Sequence, residues 1–507
     1  MALISRALAA GVSAAALAAP ALAQPAPTAA AVAQAGDSYF TAAEADMQEL
    51  LGRQPNVRQA KNVILFIGDG MSIPTITAAR ILEGQERGAD GESNRLAWET
   101  LLPHVALSKT YTNDAQVADS APTATAMVAG VKSNNGTIGV TQEVVNDNCA
   151  SQKGHEVTTI FESAEAAGYA TGIVSTARIT HATPASAYAK TAQRDWENDS
   201  QLSDEARAGG CKDIAAQLVD WPAGNGFEVI LGGGRANFML ESQADPEKAD
   251  KTGARADGRD LVAEWQAKYN DAAYVWSNAG FDAIDGTATG HLMGLFEQSH
   301  MQYDADRNDG PDGEPSLAEM TTKAIDVLAQ YDNGFVLMVE AGRIDHGHHA
   351  GNAYRALEDT VALDAAVEAA FEKVDPEETR INVTADHSHV FTMAGYPERN
   401  NPILGLVGVN ADDGKPYTTL GYQNGPGAVE GPRADLTDVD TTDKDFLQQA
   451  LVPLAESETH AGDDVGIYAA GPWAHLFDGV MEQNLIYHVI AHATDLPQKA
   501  ALNALSN

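Results

Sequence analysis

Residues 61–72 read KNVILFIGDGMS, and this stretch decides the fold class. Residues 62–67 form a nearly continuous apolar run bounded by glycine, a pattern typical of a strand that is buried on both faces of a parallel sheet. Asp69 stands at the carboxyl end of this strand. Because ligands bind at that end of the strands in open α/β sheets, Asp69 is a candidate site residue.

The same pattern recurs along the chain. Apolar segments that predict strands alternate with segments of helical periodicity. Strands are predicted within residues 169–176, 227–234, 335–349 and 379–391, and helices within residues 154–168 and 352–374. This alternation predicts an α/β fold with a mainly parallel sheet and helices on both faces.

The composition restricts the function. The 507 residues include 71 Asp and Glu against 32 Lys and Arg, which gives a formal net charge of −39. A chain this acidic repels nucleic acids and anionic membranes, so we expect no specific binding to nucleic acid.

The ends of the chain predict an exported protein. Residues 1–23 have a basic residue, an Ala-rich apolar stretch and a final Ala-Leu-Ala, as in a secretory signal peptide. Residues 24–60 are predicted to form a leader with a helical arm at 38–52. We expect no membrane anchor, because the sequence shows no hydrophobic tail. We therefore expect a periplasmic or secreted protein, in which the two cysteines, Cys149 and Cys211, form a disulfide.

Side chains of the types that bind metals follow several predicted strands. Each has an ordinary explanation by itself: Asp345 and His349 could form a salt bridge at the start of a helix, and His460 could be a buried histidine paired with a carboxylate. The carboxyl ends of parallel strands, however, meet at one edge of the sheet. We therefore expect a single site formed by Asp69, Glu340, Asp345, His349, Asp386, His387 and His460.

The types of ligand divide this predicted site into three sets, one for each metal ion. Mixed imidazole and carboxylate ligands favour zinc, and oxygen ligands favour magnesium. The predicted sets are Asp345, His349 and His460 for one zinc; Asp69, Asp386, His387 and Ser120 for a second zinc; and Asp69, Thr183 and Glu340 for magnesium. Two metals about 3.5–4 Å apart are the usual arrangement for in-line phosphoryl transfer.

Ser120 and Arg194 are the candidates for contact with an anion. Ser120 precedes a run of small helix-forming residues with Pro122 in the first turn, so we interpret it as the N-cap of a helix, where the helix dipole favours an anion. Its hydroxyl could attack a phosphoryl group, although an ordinary capping serine explains the same pattern. Arg194 could bind phosphate oxygens in a bidentate manner, or it could form a surface salt bridge with Asp195 or Asp199.

Seven motifs in this order resemble those of alkaline phosphatases. They are residues 61–72, 117–139, 181–196, 229–235, 340–360, 383–397 and 458–483. The likeness extends from about residue 38 to residue 495, and the segments HATPASAYAKTAQRDW and RIDHGHH are more similar to animal enzymes than to the common enterobacterial type. The resemblance implies a three-layer α/β sandwich with a large, mostly parallel central sheet. It further implies a catalytic core at 61–390 and 459–507 that is interrupted by a crown insertion at 391–458.

The resemblance also implies roles for the site residues. Ser120 corresponds to the nucleophile that becomes phosphoserine, and Arg194 to the arginine that holds two phosphate oxygens. The three ligand sets correspond to two Zn²⁺ and one Mg²⁺ per subunit. Asp119, His181 and His346 correspond to residues beside the magnesium and the substrate.

Two further expectations come from the resemblance alone. The helical arm and the crown contribute to the dimer interface in this family, so we expect a homodimer. Animal enzymes also carry a calcium site, and its candidates here are Phe296, Glu297, Asp312 and Glu314, which could bind Ca²⁺ or Mg²⁺.

The predicted function is metal-dependent hydrolysis of phosphate monoesters through phosphoserine, with release of inorganic phosphate. A phosphodiesterase of the same superfamily is the alternative. A sulfatase is disfavoured because it needs an arginine where this chain has Ala124. An exported protein that binds metal or phosphate without turnover is a third possibility, disfavoured by the completeness of the site.

Overall fold

The computed structural model describes residues 33–506, and the signal peptide predicted at residues 1–23 lies outside them. The chain divides into two compact units, Met1–Gln54 and Pro55–Asn507. Across the described part of the chain, no helix combines the length and the apolar character needed to cross a membrane.

The first unit contains helix α1 (Ser38–Gly52), where the sequence predicts a helical arm. The helix begins after Asp37, whose carboxylate accepts hydrogen bonds from the N–H groups of Tyr39 and Phe40 at 2.9 and 3.1 Å. Such a cap satisfies N–H groups that have no partner within the helix. None of the residues of α1 is buried.

The second unit is built on a sheet of ten strands, with short strands outside it. The strands are β1 (Asn62–Gly68), β2 (His104–Lys109), β3 (Ala170–Arg178), β4 (Val229–Gly233), β5 (Ala272–Val275), β6 (His291–Leu295), β7 (Phe335–Ala341), β8 (Thr379–Ala385), β9 (Ser388–His389), β10 (Phe391–Met393), β11 (Leu406–Asn410), β12 (Pro416–Thr418), β13 (Leu420–Gly425), β14 (Ala450–Pro453), β15 (His460–Ala461), β16 (Val465–Ala470) and β17 (Val480–Glu482). The helices are α2 (Ile73–Glu86), α3 (Ala97–Leu101), α4 (Ser120–Ala129), α5 (Ile160–Ala166), α6 (Ala182–Ala185), α7 (Asp204–Gly209), α8 (Ile214–Val219), α9 (Leu261–Lys268), α10 (Asn278–Asp282), α11 (Leu317–Leu328), α12 (Arg343–His349), α13 (Ala353–Lys373), α14 (Leu485–Thr494) and α15 (Leu496–Ser506).

The strands of the central sheet follow the order β17-β2-β16-β8-β1-β7-β3-β4-β6-β5. Strand β16 runs antiparallel to its neighbours β2 and β8. The other neighbouring pairs are parallel. The prediction of an α/β fold with a mostly parallel sheet is therefore confirmed.

The strands of this sheet are buried on both faces. Along β1, Val63, Leu65 and Ile67 belong to one apolar cluster, and Ile64 and Phe66 belong to another. The first cluster includes residues of α4, α5, α8 and α14, and the second includes residues of α2, α11 and α13. Because side chains alternate between the two faces of a strand, this unit has three layers, with the sheet in the middle.

The central strands end at the same level. Strand β1 pairs with both β7 and β8 in a register that sets Gly68 opposite Ala341 and Ala385. Asp69 and Asp386, which follow β1 and β8, therefore leave the sheet side by side at its carboxyl edge.

The region that the sequence predicts as a crown has a different architecture. Strands β10, β13 and β14 form one small sheet, and β11 and β12 form another. A further two-stranded sheet pairs β15 with β9, which sets His460 opposite His389. The domain boundaries at residues 391–458 stay a prediction.

A disulfide joins Cys149 to Cys211, with 6.0 Å between the Cα atoms, and confirms the predicted pairing. It closes a loop that contains β3, α6 and Arg194.

Candidate active site

Ser120 is the first residue of α4, and the N-cap of this helix is Asp119. The Asp119 carboxylate accepts hydrogen bonds from the backbone N–H of Ala121 at 2.7 Å and from that of Gly136. The prediction that Ser120 itself is the cap was therefore wrong by one residue. Because Asp119 caps the backbone, the Ser120 hydroxyl is available to the site beyond the helix.

The Ser120 hydroxyl lies among the side chains predicted for one zinc. Its Oγ is 3.1 Å from His387 Nε2 and 3.3 Å from Asp69 Oδ1. The ligand atoms of Asp69, Asp386 and His387 all lie within 4.8 Å of one another, and these three residues are completely buried. The structure thus brings this predicted set together.

The set predicted for the other zinc also converges, with one addition. The ligand atoms of Asp345, His349 and His460 lie within 4.8 Å of one another and of His389. His389 Nε2 is 2.8 Å from Asp345 Oδ1, and His389 Nδ1 is 2.7 Å from Glu458 Oε2. Sequence reasoning missed His389, although it comes only two residues after His387.

Hydrogen bonds fix the orientation of the two imidazoles in this set. His349 Nδ1 lies 2.8 Å from the carbonyl of Glu458, and His460 Nδ1 lies 2.7 Å from that of Ala118. Each Nδ1 must donate to its carbonyl, so each Nε2 is available as a ligand. The two Nε2 atoms are 3.0 Å apart, and each is 3.3 Å from Asp345 Oδ1. Such a close group of nitrogen and oxygen ligands fits a cation.

The oxygen atoms predicted for magnesium are buried as well. Ser175 donates a hydrogen bond to Oε2 of Glu340. Glu340 Oε1 and Thr183 Oγ1 are buried and have no hydrogen-bond partner among residues 33–506. Asp69 and Glu340 place ligand atoms within 4.8 Å of each other. A buried polar atom without a partner is costly, so these oxygens fit a hard cation such as Mg²⁺.

The site has an excess of buried negative charge. Burial and the neighbouring carboxylates of Asp386 and Asp345 raise the pKa of Asp69 well above its usual value. Burial, together with Asp386 and Asp345, also raises the pKa of Glu340 to about 7. Burial opposes the ionisation of Asp345 too, but His349 and its other histidine neighbours hold the pKa of that carboxyl well below its usual value. Divalent cations would allow all these carboxylates to ionise together.

Arg194 lies at the rim of the site. Its NH1 is 3.1 Å from Asp119 Oδ1, and its NH2 is 3.1 Å from His181 Nε2. Its salt bridge is therefore with the capping residue of α4 and not with Asp195 or Asp199, the partners considered from the sequence. This arrangement fixes the guanidinium beside Ser120.

Three histidines meet next to Arg194. The rings of His181 and His346 are 5.5 Å apart between centroids, and His300 lies 5.1 and 4.1 Å from them. The first two were predicted near the substrate. His300 was missed because it lies in a loop after β6 where the sequence has no periodic pattern.

Gly70 permits the close approach of the two predicted zinc sets. Its φ is +67°, and a Cβ added there would overlap the imidazole of His389 and lie 3.4 Å from the Cα of Asp345. Its N–H donates to Asp386 Oδ1 at 2.9 Å. Glycine is therefore required both by the backbone conformation and by the space between the sets.

The calcium site stays a prediction, and its candidate residues lie in different environments. Phe296 is part of an apolar cluster, and Asp312 is exposed. Both carboxylate oxygens of Glu297 bind the ammonium of Lys248, at 2.5 and 2.6 Å. Within residues 33–506, no group of three or more imidazole or carboxylate ligand atoms includes Glu297, Asp312 or Glu314. The carboxylate of Glu297 is thus paired with an ammonium, whereas Glu314 Oε2 is buried and has no hydrogen-bond partner among the described residues.

We call the nine residues of the two predicted zinc sets and the predicted magnesium set the metal-ligand cluster. They are Asp69, Ser120, Thr183, Glu340, Asp345, His349, Asp386, His387 and His460.

Comparisons with known proteins agree with this geometry. A family model described as "Alkaline phosphatase" matches residues 60–496. The tissue-nonspecific isozyme of alkaline phosphatase from Gallus gallus is 48% identical over 447 residues, which are 86% of this chain and 85% of that protein. An alkaline phosphatase from Gadus morhua is 46% identical over 451 residues, which are 87% and 93% of the two chains.

Solved structures with the same fold include bacterial proteins. The crystal structure of Thermus thermophilus alkaline phosphatase has a TM-score of 0.62 at 24% identity and covers 90% of this chain and 98% of that chain. The alkaline phosphatase from the Antarctic bacterium TAB5 has a TM-score of 0.58 at 24% identity, with 87% and 99% covered. At this identity the likeness establishes the fold.

Proposed function

The chain belongs to the alkaline phosphatase family and is a phosphoric monoester hydrolase, and from this premise we propose that Ser120 is its nucleophile. The observation that supports the assignment is the position of Ser120 Oγ, at hydrogen-bond distance from both His387 and Asp69. Its location in the first turn of α4 adds the positive end of a helix dipole, which favours a phosphoryl group.

We propose two Zn²⁺ and one Mg²⁺ per subunit as cofactors, because the donor atoms fit them. The two mixed sets of imidazoles and carboxylates suit zinc, and the oxygen-only set with its two unpartnered atoms suits magnesium. Bound there, the ions supply positive charge that lowers the pKa of hydroxyl groups and balances charge on the phosphoryl oxygens.

The reaction would proceed in two displacements at phosphorus. In the first, the bond from Ser120 Oγ to phosphorus forms while the ester bond breaks, and the alcohol leaves. In the second, water attacks the phosphoserine, the bond to Oγ breaks, and inorganic phosphate is released. The burial of Ser120 and its contacts with Asp69 and His387 hold Oγ in place for both steps.

Arg194 would bind two oxygens of the transferred group. Its contacts with Asp119 and His181 orient the planar guanidinium before the substrate arrives. A guanidinium offers two parallel N–H donors to a phosphate, and it stabilises the charge that shifts onto the oxygens in the transition state.

The Ser120→Ala variant tests the nucleophile. Without the hydroxyl no phosphoserine can form, so we expect the hydrolysis of a chromogenic monoester to fall by at least ~10³-fold. Incubation of the wild type with radioactive inorganic phosphate at acidic pH should label a peptide that contains residue 120, and the variant should stay unlabelled.

The matched control is Ser108→Ala, which removes a buried hydroxyl of β2, outside the metal-ligand cluster. This control should keep the wild-type rate. Undiminished turnover in Ser120→Ala, or label at another residue, contradicts the assignment.

We also propose a homodimer. Helix α1 has no buried residue, and it exposes Leu50 and Leu51, which are 51% and 54% exposed. In the predicted crown, Leu451 is 83% exposed. Apolar side chains of this kind are common at interfaces between subunits. Light scattering on the purified protein measures the mass, and the mass of a monomer contradicts this proposal.

An exported location is proposed on the same footing. The Cys149–Cys211 disulfide requires an oxidising compartment, such as the periplasm or the exterior of the cell. Activity recovered only in the cytoplasmic fraction contradicts it.

A further inference from the structure

Three arginine side chains within residues 33–506 are fully buried, and two of them are paired with acids. The three are Arg235, Arg255 and Arg380. The guanidinium of Arg235 donates to both carboxylate oxygens of Asp245 at 2.8 Å, and NH1 of Arg255 donates to Asp213 Oδ1 at 2.8 Å. A buried charge is costly unless an opposite charge lies beside it. For these two arginines the chain itself supplies the counterion.

Arg380, on strand β8, is the exception. Its NH1 donates to the carbonyl oxygen of Pro472 at 3.0 Å. Its Nε and NH2 are buried and have no hydrogen-bond partner among the described residues. Burial alone lowers the pKa of the Arg380 guanidinium to about 9, and no carboxylate acts against this shift. The guanidinium is therefore charged at neutral pH, and residues 33–506 supply no counterion for it.

A second unpartnered side chain lies on the same face of β8. Asn382 comes two residues after Arg380, and alternate residues of a strand share a face. Asn382 is fully buried, and neither its Oδ1 nor its Nδ2 has a hydrogen-bond partner in the part of the chain that the structure describes. The register sets Leu65 of β1 and Ala469 of β16 on either side of it. Strand β8 thus presents unsatisfied donors from two adjacent side chains on one face.

The surroundings of these donors are apolar. The Cζ atom of Arg380 lies 4.7 Å from the centroid of the Phe477 ring, and Phe477 belongs to the same apolar cluster as Leu65 and Ala469. The face of a ring stabilises a cation but leaves its N–H donors without acceptors. A water molecule would accept hydrogen bonds and leave the charge uncompensated, whereas a small anion would satisfy the donors and neutralise the charge. Because apolar walls do not replace a hydration shell, they favour a weakly hydrated ion of single charge over sulfate or phosphate.

We propose that Arg380 and Asn382 form a binding site for a small monovalent anion, with chloride as its ligand. Arg380 donates to the anion through Nε and NH2, and Asn382 donates through Nδ2. The contact of NH1 with Pro472 fixes the plane of the guanidinium. The site lies at the amino end of β8, and Asp386 of the metal-ligand cluster follows the other end of this strand. The anion is therefore a structural ligand that stabilises the folded chain, and it takes no part in the hydrolysis.

Crystals of the full chain loaded with zinc and magnesium, grown in sodium bromide, test the site directly. Bromide replaces chloride and scatters X-rays anomalously, so its position can be told from that of water. We expect an anomalous peak at hydrogen-bond distance from Arg380 Nε and Asn382 Nδ2. The peak should be absent in Arg380→Met, which removes the charge and keeps a long side chain. A wild-type structure without anomalous signal at this position overturns the proposal, whether water or apolar atoms surround the guanidinium.

Thermal melting gives a second readout that is independent of activity. A ligand that binds only the folded chain raises the melting midpoint as its concentration rises. At constant ionic strength, replacement of sodium gluconate by sodium chloride should raise the midpoint of the wild type by a few degrees and leave that of Arg380→Met unchanged. In gluconate, Arg380→Met should melt no lower than the wild type, because it removes an uncompensated buried charge. Arg207→Met, at an exposed arginine of α7, is the matched control and should respond to chloride as the wild type does.

Two melting results also overturn the proposal. One is a wild-type midpoint that does not depend on chloride. The other is an equal response of the wild type and Arg380→Met, which would place the effect of chloride elsewhere in the molecule. If Arg380→Met does not fold, Asn382→Leu replaces it, and this variant should need a several-fold higher chloride concentration for half of the shift. The bromide peak in the wild type needs no variant and decides alone if neither folds.

Discussion

The metal-ligand cluster differs from the ion pairs that Lys248 forms with Glu297 and Glu247, which we call the Lys248 cluster. Both gather carboxylates beyond the carboxyl ends of strands in one sheet, the first after β1, β7 and β8 and the second after β6. In the Lys248 cluster an ammonium lies 2.5 Å from Glu297. In the metal-ligand cluster, by contrast, Asp69 and Glu340 are fully buried, and two oxygens of the site have no partner among the residues that the structure describes.

The Lys248 cluster differs in this way from the site proposed for catalysis. The Lys248 ammonium neutralises Glu297 directly, although the lysine is 38% exposed. A metal ion would neutralise carboxylates and still offer open positions to an incoming phosphate. The uncompensated carboxylates of the metal-ligand cluster therefore favour this cluster as the place where a second molecule binds.

The largest effect that tests this contrast is expected for Glu340→Gln, whose change in melting midpoint should have opposite signs without and with bound metals. Its pKa is raised to about 7 in the folded, metal-free protein. The folded state then holds the proton of Glu340 more tightly than the unfolded state does. The free energy of unfolding therefore falls as the pH rises from the pKa of this group in the unfolded chain to about 7, and the complete loss is about 3 kcal/mol. Glu340→Gln removes that cost, so the metal-free variant should melt at a higher temperature than the metal-free wild type at pH 8. With zinc and magnesium bound, the variant has lost a ligand and should melt below the wild type.

Melting curves at pH 5 and pH 8, with and without metals, measure this effect. The matched control is Glu165→Gln, because Glu165 is another buried glutamate with a raised pKa, about 8, outside the site. Its shift should not depend on the metals. The same sign of shift for Glu340→Gln in both metal states contradicts the contrast between the clusters.

A slightly smaller effect is expected at Arg194, the cation beside the metal-ligand cluster. It lies at the rim of the site, 3.1 Å from Asp119, where a substrate can reach it. Arg194→Ala should lower kcat/KM by about 10²-fold, or ~2.7 kcal/mol, and should raise the inhibition constant of inorganic phosphate. Arg194→Lys should recover only part of the loss, because it restores the charge without the two parallel donors.

Steady-state kinetics on a chromogenic monoester provide the measurement, and Arg207→Ala, an exposed arginine of α7, is the control. If Arg194 only stabilises the helix cap, its loss will appear in the melting midpoint, and phosphate inhibition will stay within twofold of the wild type.

The smallest effect is expected at Glu297. Glu297→Gln removes the main partner of Lys248, but the lysine is 38% exposed and can turn toward water. We expect a loss of about 1 kcal/mol or less, seen as a small fall in the melting midpoint. The fall should be identical with and without added divalent ions, in contrast to Glu340→Gln. A fall that depends on calcium would mean that the two clusters work in the same way.

Much of the metal-ligand cluster could be predicted because its residues follow buried strands. Asp69 and Asp386 come directly after β1 and β8, and the register of those strands sets the two residues side by side. Buried strands have a strong sequence signal, and the geometry of a parallel sheet then determines which of their ends meet.

The remaining contacts depend on loops, which have no such signal. His300 and Lys248 both reach their partners from irregular segments, and nothing periodic in the sequence marks either residue. Whether Asp119 or Ser120 caps α4 depends on a hydrogen bond to a single backbone N–H, a detail of one residue that composition does not resolve.

The close packing around Gly70 limits which substitutions the sequence can accept. A single methyl group there would push the His389 imidazole away from Asp345 and so separate the two predicted zinc sets. We therefore expect position 70 to tolerate only glycine, whereas a predicted ligand such as Thr183 can be exchanged for another small hydroxyl residue without changing the chemistry of its donor atom. In a library of random variants, the position with no side chain should be among the least permissive of the whole site.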